Sequence, residues 1–422
     1  MSRAINKILK PIKQRVMYEL AKGYRRTLDK LGNVCFIGIT GSCGKTTTTE
    51  LIAAILATHG QTIKCSHTNT DESIAKTILA VSLKHHFCVN EVAAGIRGLM
   101  AKSVKLLKPH IGVVTNIGQD HYTLYRTLEA TAIDKSKLVS ALPPDGTVVL
   151  NADDALVFEM RNRTKAKVIT YGLSAEAMVR GKNISCAWPD RMSLDVCFEG
   201  KWIGVQTKLL GEHWAHAVLA AIATGIAAGV TVEQAIKAID DFEPMPYRMY
   251  PHQTAKGVTL ISDNWKGVMW TVPASFDFMR KAKAQRKIAV IGSISDTPKS
   301  FFDRYKRIIQ QSAGIVDKTI FVGEHALTAL RAKKNPQDDS VMAFETLYKL
   351  NCFLNDYLKP GDLVLLKGVE NVDHLQRIIL TQTGRIKQEN ICWKTDCRKK
   401  RLCENCKHLL VPDKTEGNNQ TI

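Results

Sequence analysis

At 422 residues, 45% of them hydrophobic, the chain is long and apolar enough for two or three domains with ordinary cores. No stretch holds eighteen uninterrupted apolar residues, and the basic N-terminus MSRAINKILKPIKQRV lacks the apolar centre of a signal peptide. A membrane-spanning or exported class is therefore set aside and a cytoplasmic location expected. The formal net charge of +19 favours anionic partners (nucleotides, nucleic acid or an acidic membrane face), with the excess clustered at residues 3–30 and 394–407.

In residues 1–30, Ile5, Ile8, Ile12, Val16, Leu20 and Tyr24 recur every three or four positions with Lys and Arg between them, which predicts an amphipathic helix. Pro11 is expected to break or start it. Two readings of this helix stay open: one lying on an anionic membrane, and one packed on the next domain with its lysines in water.

Residues 34–50, VCFIGITGSCGKTTTTE, come next. The apolar run predicts a buried parallel strand, followed by a glycine turn and a helix opened by Lys45 and four threonines. This is the layout of a phosphate-binding loop. Gly41 and Gly44 let the backbone curl so that amides face a polyphosphate, and the helix N-terminus adds a favourable dipole. Lys45 can reach terminal phosphates and the Thr46 hydroxyl can ligate Mg2+. Ile39 stands where the general pattern GxxxxGK[ST] has its first glycine, so the match is to a variant running through Thr40, Gly41, Ser42, Gly44, Lys45, Thr46 and Thr47.

Helices are expected over 46–59 and 72–84, a short strand around Ile63, and buried strands over 87–93 and 111–117, with Glu91 near the C-terminal end of the first. Ligands of open α/β sheets sit at the carboxyl ends of strands. Loop 40–46, Glu91 and the segment after Ile117, which contains His121, could thus meet in one crevice, with Lys135 on the following helix. A strand over 148–151 leads to NADD, several β-like pieces occupy 166–208, and helices follow over 213–229 and 231–240. The segment 244–251, PMPYRMYP, reads as a hinge. Beyond it, strands over 258–262, 287–292, 318–323 and 362–368 alternate with helices. The predicted fold class is α/β: a P-loop domain with a parallel sheet, then a Rossmann-like α/β domain.

Eleven cysteines, several in apolar runs (Cys35, Cys88, Cys352), suit reduced thiols better than a disulfide framework. Cys392, Cys397, Cys403 and Cys406 form C-x4-C-x5-C-x2-C, a pairwise spacing that suits tetrahedral Zn2+, with His408 as a spare ligand. The short middle spacer departs from common zinc ribbons, and four reduced thiols in a basic tail are the alternative. Few aromatics interleave with Lys394 and the basic run 398–401, which argues against nucleic acid as a partner. The tail after about residue 409 reads as disordered.

The ordered set ITGSCGKTTT, VNEVAAG, TNIGQDH followed by DKSKL, LNADD, GEH with an alanine-rich helix, PYRM, ISDN and GDLVLLKG resembles the Mur ligase family, in particular its D-alanyl-D-alanine-adding branch. The resemblance runs from about residue 33 to 370. It implies domains at 33–245 (central, ATP-binding) and 246–390 (C-terminal), flanked by a basic helical extension at 1–32 and a Cys-rich tail at 391–422. It implies ATP-dependent joining of a carboxylate to an amine through an acyl phosphate, with ATP and Mg2+ required; Zn2+ is a candidate for the tail on the cysteine spacing alone. Lys45 and Thr46 would hold phosphates and the first Mg2+, Glu91 and His121 would ligate Mg2+, and Lys135 would be the lysine that becomes carbamylated. Arg248 would contact the γ-phosphate, Asp263 would help hold ATP, and Lys367 is open between a ligand contact and a structural strand end.

Departures from the family pattern are also plain. Trp214 and Ala217 replace asparagines near the adenine, Asn264, Trp265 and Lys266 replace much of a DDxYNANP stretch, and IGSISDT stands for an LGDMxELG-like segment. About 32 residues precede the first strand, too few for the separate UDP-sugar domain of cell-wall ligases. Expected partners are therefore small-molecule or peptide carboxylate and amine substrates, a protein that supplies the carboxylate site, and a peripheral contact at the inner membrane face. The alternative from another class is a nucleotide-binding assembly or regulatory subunit with reduced catalysis.

Overall fold

The computed structural model describes residues 2–32, 34–66, 68–93, 98–119, 125–295, 297–395, 397 and 403–406. The chain divides into two compact units. The first comprises residues 1–185, 191–208 and 212–243, and the second residues 186–190, 209–211 and 244–422.

The first unit is built on nine strands in the order β2-β3-β1-β4-β5-β6-β7-β8-β9. Strands β1 (Cys35–Thr40), β2 (Thr62–Cys65), β3 (Phe87–Glu91), β4 (Ile111–Val114), β5 (Thr147–Asn151) and β6 (Lys167–Gly172) are parallel, and β1, β3, β4 and β5 are almost wholly buried, whereas β2 at the sheet edge has only Cys65 buried. Strand β7 (Val179–Ser185) adds to β6 in parallel, and β8 (Ser193–Phe198) and β9 (Lys201–Gln206) extend the sheet antiparallel. One core gathers α1 (Ser2–Leu31), α3 (Asp71–Ala80), α4 (Leu99–Leu107) and α5 (Leu128–Ser140) around Phe36, Cys88 and Val92. Helix α2 (Lys45–Ala57) packs on the later helix Ala215–Ala227. A Cβ on Gly225 would lie 2.7 Å from Ile55 Cγ2, so that approach needs glycine.

Helix α1 corrects one expectation and divides another. It runs unbroken through Pro11. Pro11 is exposed, so the carbonyl left without its helical N–H partner can be hydrated, and the packed second half of the helix holds the rest. Ala21, Arg25 and Leu28 point into the core. Arg25 is buried, donates from Nε to Leu107 O (2.8 Å) and from Nη2 to Lys108 O (2.7 Å), pairs with Asp29, and lies 3.6 Å over the Phe36 ring. It thereby satisfies the carbonyl end of α4. Leu9, Ile12, Val16 and Leu20 are half exposed or more.

The second unit is a six-stranded sheet in the order β10-β11-β15-β12-β13-β14. Its strands are β10 (Tyr250–Gln253), β11 (Thr259–Asp263), β12 (Arg286–Ile291), β13 (Lys318–Val322), β14 (Val341–Phe344) and β15 (Asp362–Lys367), and only β10 is antiparallel. Arg286 and Asp362, paired in register, form a two-pronged salt bridge (2.8 and 2.6 Å) at the start of β12 and β15. Strand β10 begins inside the segment read as a hinge, and β14 was not expected.

Candidate active site

The turn after β1 has the backbone the glycines foretell: φ is +145° at Gly41 and +78° at Gly44. A Cβ at Gly41 would fall 1.8 Å from Thr115 Oγ1, so only glycine fits there. Gly44 is the N-cap of α2. The Lys45 ammonium folds back over the loop and donates to Gly41 O (2.6 Å). Lys135, on α5 and only 1% exposed, donates to the same oxygen (3.1 Å). Two ammonium groups thus share one carbonyl. Glu91, 2% exposed, ends β3 in register with Ile39, next to the start of the loop. The hydroxyls of Thr40 and Thr47 are buried with no hydrogen-bond partner among the described residues. Orphaned donors, a helix N-terminus and paired lysines suit a polyphosphate and its Mg2+. His121 lies outside the described residues.

A second loop, 115–118, braces the first. Ser42 N donates to Asn116 O (2.9 Å) and Cys43 N to Asn116 Oδ1 (2.9 Å). Thr115 Oγ1 donates to Cys43 O (2.7 Å), and Gly118 N to Ser42 Oγ (2.9 Å). LNADD braces that brace. Asn151 Nδ2 donates to Thr115 O (2.9 Å), and Asp154 accepts from Ile117 N (2.6 Å). With its other oxygen Asp154 caps the short helix Ala155–Phe158. Asp153 accepts from Leu173 N, Ser174 N and His216 Nε2. Its pKa is lowered: partial burial pushes upward, but these hydrogen bonds outweigh it. None of these positioning residues was singled out from the sequence, although the motifs holding them were.

In the second unit Asp263 closes β11 beside Lys367, which closes β15. Asp263 Oδ2 accepts from Lys367 Nζ (2.5 Å) and Ser275 Oγ (2.8 Å). Lys367 is buried, so this pair tips a structural strand end with charge. Asn264, fully buried, donates to Glu370 Oε2 (2.5 Å). Asp373 ties two loops together by accepting from Ser293 N, Ser293 Oγ and Val369 N. Burial still pushes its carboxyl upward against those bonds, and Glu370 is pushed up to about 8 by burial and the Asp373 charge. Arg248 is half-buried, 5.9 Å from the Trp265 ring centroid, between Tyr247 and Met249, both with left-handed backbone (φ +66° and +53°). Paired left-handed non-glycine residues mark a constrained turn of the kind found at ligand sites.

All eleven cysteines are free thiols in this structure. The four tail cysteines do not stand together as a donor group. Cys403 is buried and meets Glu370 and His374, whereas Cys392, Cys397 and Cys406 are half-buried. The cause is the 3-10 turn Cys403–Asn405, which sends the Cys403 thiol inward. Among the described residues no helix is long and apolar enough to cross a membrane.

Residues 39–225 match the model of the Mur ligase middle domain. The UDP-N-acetylmuramoyl-tripeptide–D-alanyl-D-alanine ligase of Synechocystis sp. is 30% identical over 361 residues, spanning 84% of this chain and 75% of that protein. The chain belongs to the Mur ligase family. Members of this family are ATP-dependent, ADP-forming peptide ligases. A UDP-N-acetylmuramate–L-alanine ligase from Alkaliphilus metalliredigens is 25% identical over 82% of this chain and 75% of its own. Among solved structures, a MurF of Acinetobacter baumannii superposes with TM-score 0.80 at 21% identity, covering 88% of this chain and 80% of that one. A MurF of Thermotoga maritima in complex with ADP gives TM-score 0.73 at 18% identity, covering 89% and 83%. These two show the Mur ligase fold, P-loop domain and Rossmann-like domain alike. A non-catalytic regulatory subunit finds no support among these relatives.

Proposed function

We propose that this Mur ligase joins the carboxylate of a peptide-type acceptor to the amine of a small amino acid or dipeptide. The reading of the amine rests on relatives named for adding D-alanyl-D-alanine or L-alanine. The observation that carries the proposal is the pair of lysines on Gly41 O beside Glu91. Lys45 and the first turn of α2, with Thr46 and Thr47, receive the phosphates of ATP. Glu91, the Thr46 hydroxyl and His121 would hold Mg2+, which when bound would neutralise phosphate charge. Addition of CO2 to the Lys135 amine, with loss of a proton, would give a carbamate and so replace a cation with an anionic oxygen ligand. Arg248 and Asp263 would contact the nucleotide, as the family resemblance implies. Lys367 orients Asp263.

Phosphate release over a panel of acid–amine pairs tests the reaction. Lys45→Ala abolishes turnover, and Lys135→Ala lowers it with partial rescue by short carboxylates. Wild-type turnover in both variants would refute the assignment. For α1 the reading is a peripheral contact with an anionic membrane. Leu9, Ile12, Val16 and Leu20 form an exposed apolar stripe, with Lys10, Lys13 and Arg15 exposed beside it. Sedimentation with phosphatidylglycerol vesicles, but not with phosphatidylcholine vesicles, is expected, and loss of it in Ile12→Glu/Val16→Glu. Equal binding to both lipids, or none, would overturn it.

A further inference from the structure

Beyond the ligase centre, the second unit holds a buried donor set that the proposed reaction does not use. A carboxylate oxygen of Glu370, a ring nitrogen of His374 and the Cys403 sulfur lie within 4.8 Å of one another, all three side chains buried. The helix Glu370–Asp373 supplies the first, His374 is its C-cap, and the 3-10 turn Cys403–Asn405 supplies the third.

Three details go beyond proximity. Glu370 Oε1 is buried with no hydrogen-bond partner among the described residues, while its other oxygen is held by Asn264. An orphaned buried carboxylate oxygen calls for an ion or a donor. His374 Nε2 lies 3.1 Å from the Cys397 carbonyl, which can only accept, so the proton sits on Nε2. Nδ1 then turns a lone pair toward Cys403 Sγ, 3.4 Å away. A backbone carbonyl on one ring nitrogen with the other aimed at a second donor is how metal-bound histidines are oriented. Finally, at Zn–N and Zn–S lengths of about 2.05 and 2.3 Å, two donors across a tetrahedral zinc stand about 3.6 Å apart, near the observed separation.

We infer that Glu370, His374 and Cys403 form a structural Zn2+ site, which Cys406, whose sulfur lies outside that 4.8 Å group, would complete as fourth ligand by turning inward. Cys406 follows Cys403 on a turn closed by Cys406 N to Cys403 O (2.9 Å), and i and i+3 side chains of such a turn face the same way. Cys406 also packs on the small core that contains Cys403. The Arg377 Nε donates to Cys403 Sγ (3.5 Å) and so holds the sulfur in place. A sulfur, nitrogen and oxygen set in a closed, buried position selects zinc over magnesium. Because Glu370 is bonded to Asn264, next to Asp263, the ion would fasten the tail to the strand ends that hold Asp263 and Lys367.

The test is metal analysis of full-length protein, followed by Co2+ titration of the demetallated wild type. About one zinc per chain is expected, with a tetrahedral cobalt spectrum showing a thiolate-to-metal charge-transfer band. His374→Ala and Cys406→Ser lose the zinc, Cys392→Ser keeps it, and Glu370→Gln shifts the cobalt bands. A wild-type protein that neither contains zinc nor takes up stoichiometric Co2+ overturns the site. So does full zinc content in His374→Ala, or loss in Cys392→Ser. Lys45→Ala leaves zinc content unchanged, which separates this test from that of the ligase reading.

Discussion

Replacing Gly41 with alanine tests whether the nucleotide loop is held by its fit against Thr115. Two costs add. The φ of +145° is left to glycine, and an L side chain there costs about 1–3 kcal/mol. The new Cβ would also start 1.8 Å from Thr115 Oγ1, so loop or threonine must move by about 1.6 Å or more to reach an ordinary contact, which begins at 3.4 Å. A displacement of that size at a reacting centre costs about 100-fold in rate, near 2.7 kcal/mol. Gly44→Ala is the control: φ is +78°, but its Cβ meets nothing within 4 Å, so only the backbone cost applies. Urea denaturation without nucleotide should find Gly41→Ala the less stable of the two by 1 kcal/mol or more, as about the lower end of an overpacking penalty. Thr115→Ala removes the clashing oxygen along with its bond to Cys43 O. In the double-mutant cycle it should therefore couple favourably with Gly41→Ala, by about 1 kcal/mol. Equal stability of the two glycine variants, together with additivity in the cycle, would refute the fit.

Asp154→Ala removes a helix cap and the acceptor of Ile117 N, and should cost about 2 kcal/mol in chemical denaturation while weakening ATP binding. Asp373→Ala leaves Ser293 N, Ser293 Oγ and Val369 N without their acceptor, and about 3 kcal/mol or more should be lost from the second unit's unfolding. His252 is buried against Ser262, and burial, with the Arg385 charge, lowers its pKa to about 4. The unfolded state binds the extra proton between pH 6.5 and 4, so stability is whole above 6.5 and falls by up to about 3 kcal/mol as pH drops to 4. His252→Gln should flatten that limb of the urea profile, and an unchanged slope would count against the assignment.

The phosphate loop and Glu91 were legible because each belongs to a local pattern, a strand with its carboxyl end and the turn next to it, whereas Lys135 was picked out only by the family resemblance of DKSKL after TNIGQDH. The braces were not. Cys43 meets Asn116 across 73 residues and Ile117 meets Asp154 across 37, pairings set by which strands lie side by side and in what register. Strand β10 was hidden by prolines and positive-φ residues around Arg248 that read as a hinge, and β14 by having four residues. Cysteine spacing suggested a four-thiol tail because spacing sees only the tail. His374 and Glu370, which meet Cys403, come from about 30 residues upstream.

Counting backbone donors narrows how the loop can meet a phosphate. The sequence suggests that loop amides curl toward the ligand, yet Ser42 N and Cys43 N are both taken by Asn116. Thr48 N already serves Gly44 O as the first bond of α2. The donors that geometry leaves for an anion are those of the helix's first turn, whose N–H groups a helix does not use internally. Asn116 therefore acts on nucleotide affinity without touching the phosphate, by holding the loop so that this turn faces the ligand. Asn116→Ala keeps the backbone carbonyl that serves Ser42 and removes only the side chain that serves Cys43. The orphaned amide costs about 1–1.5 kcal/mol, so ADP affinity measured by calorimetry should fall about tenfold. Asn116→Asp keeps an acceptor at that position and should retain the loop geometry. An Asn116→Ala protein that binds ADP as tightly as the wild type would show that the amides of residues 42 and 43 turn to the ligand after all.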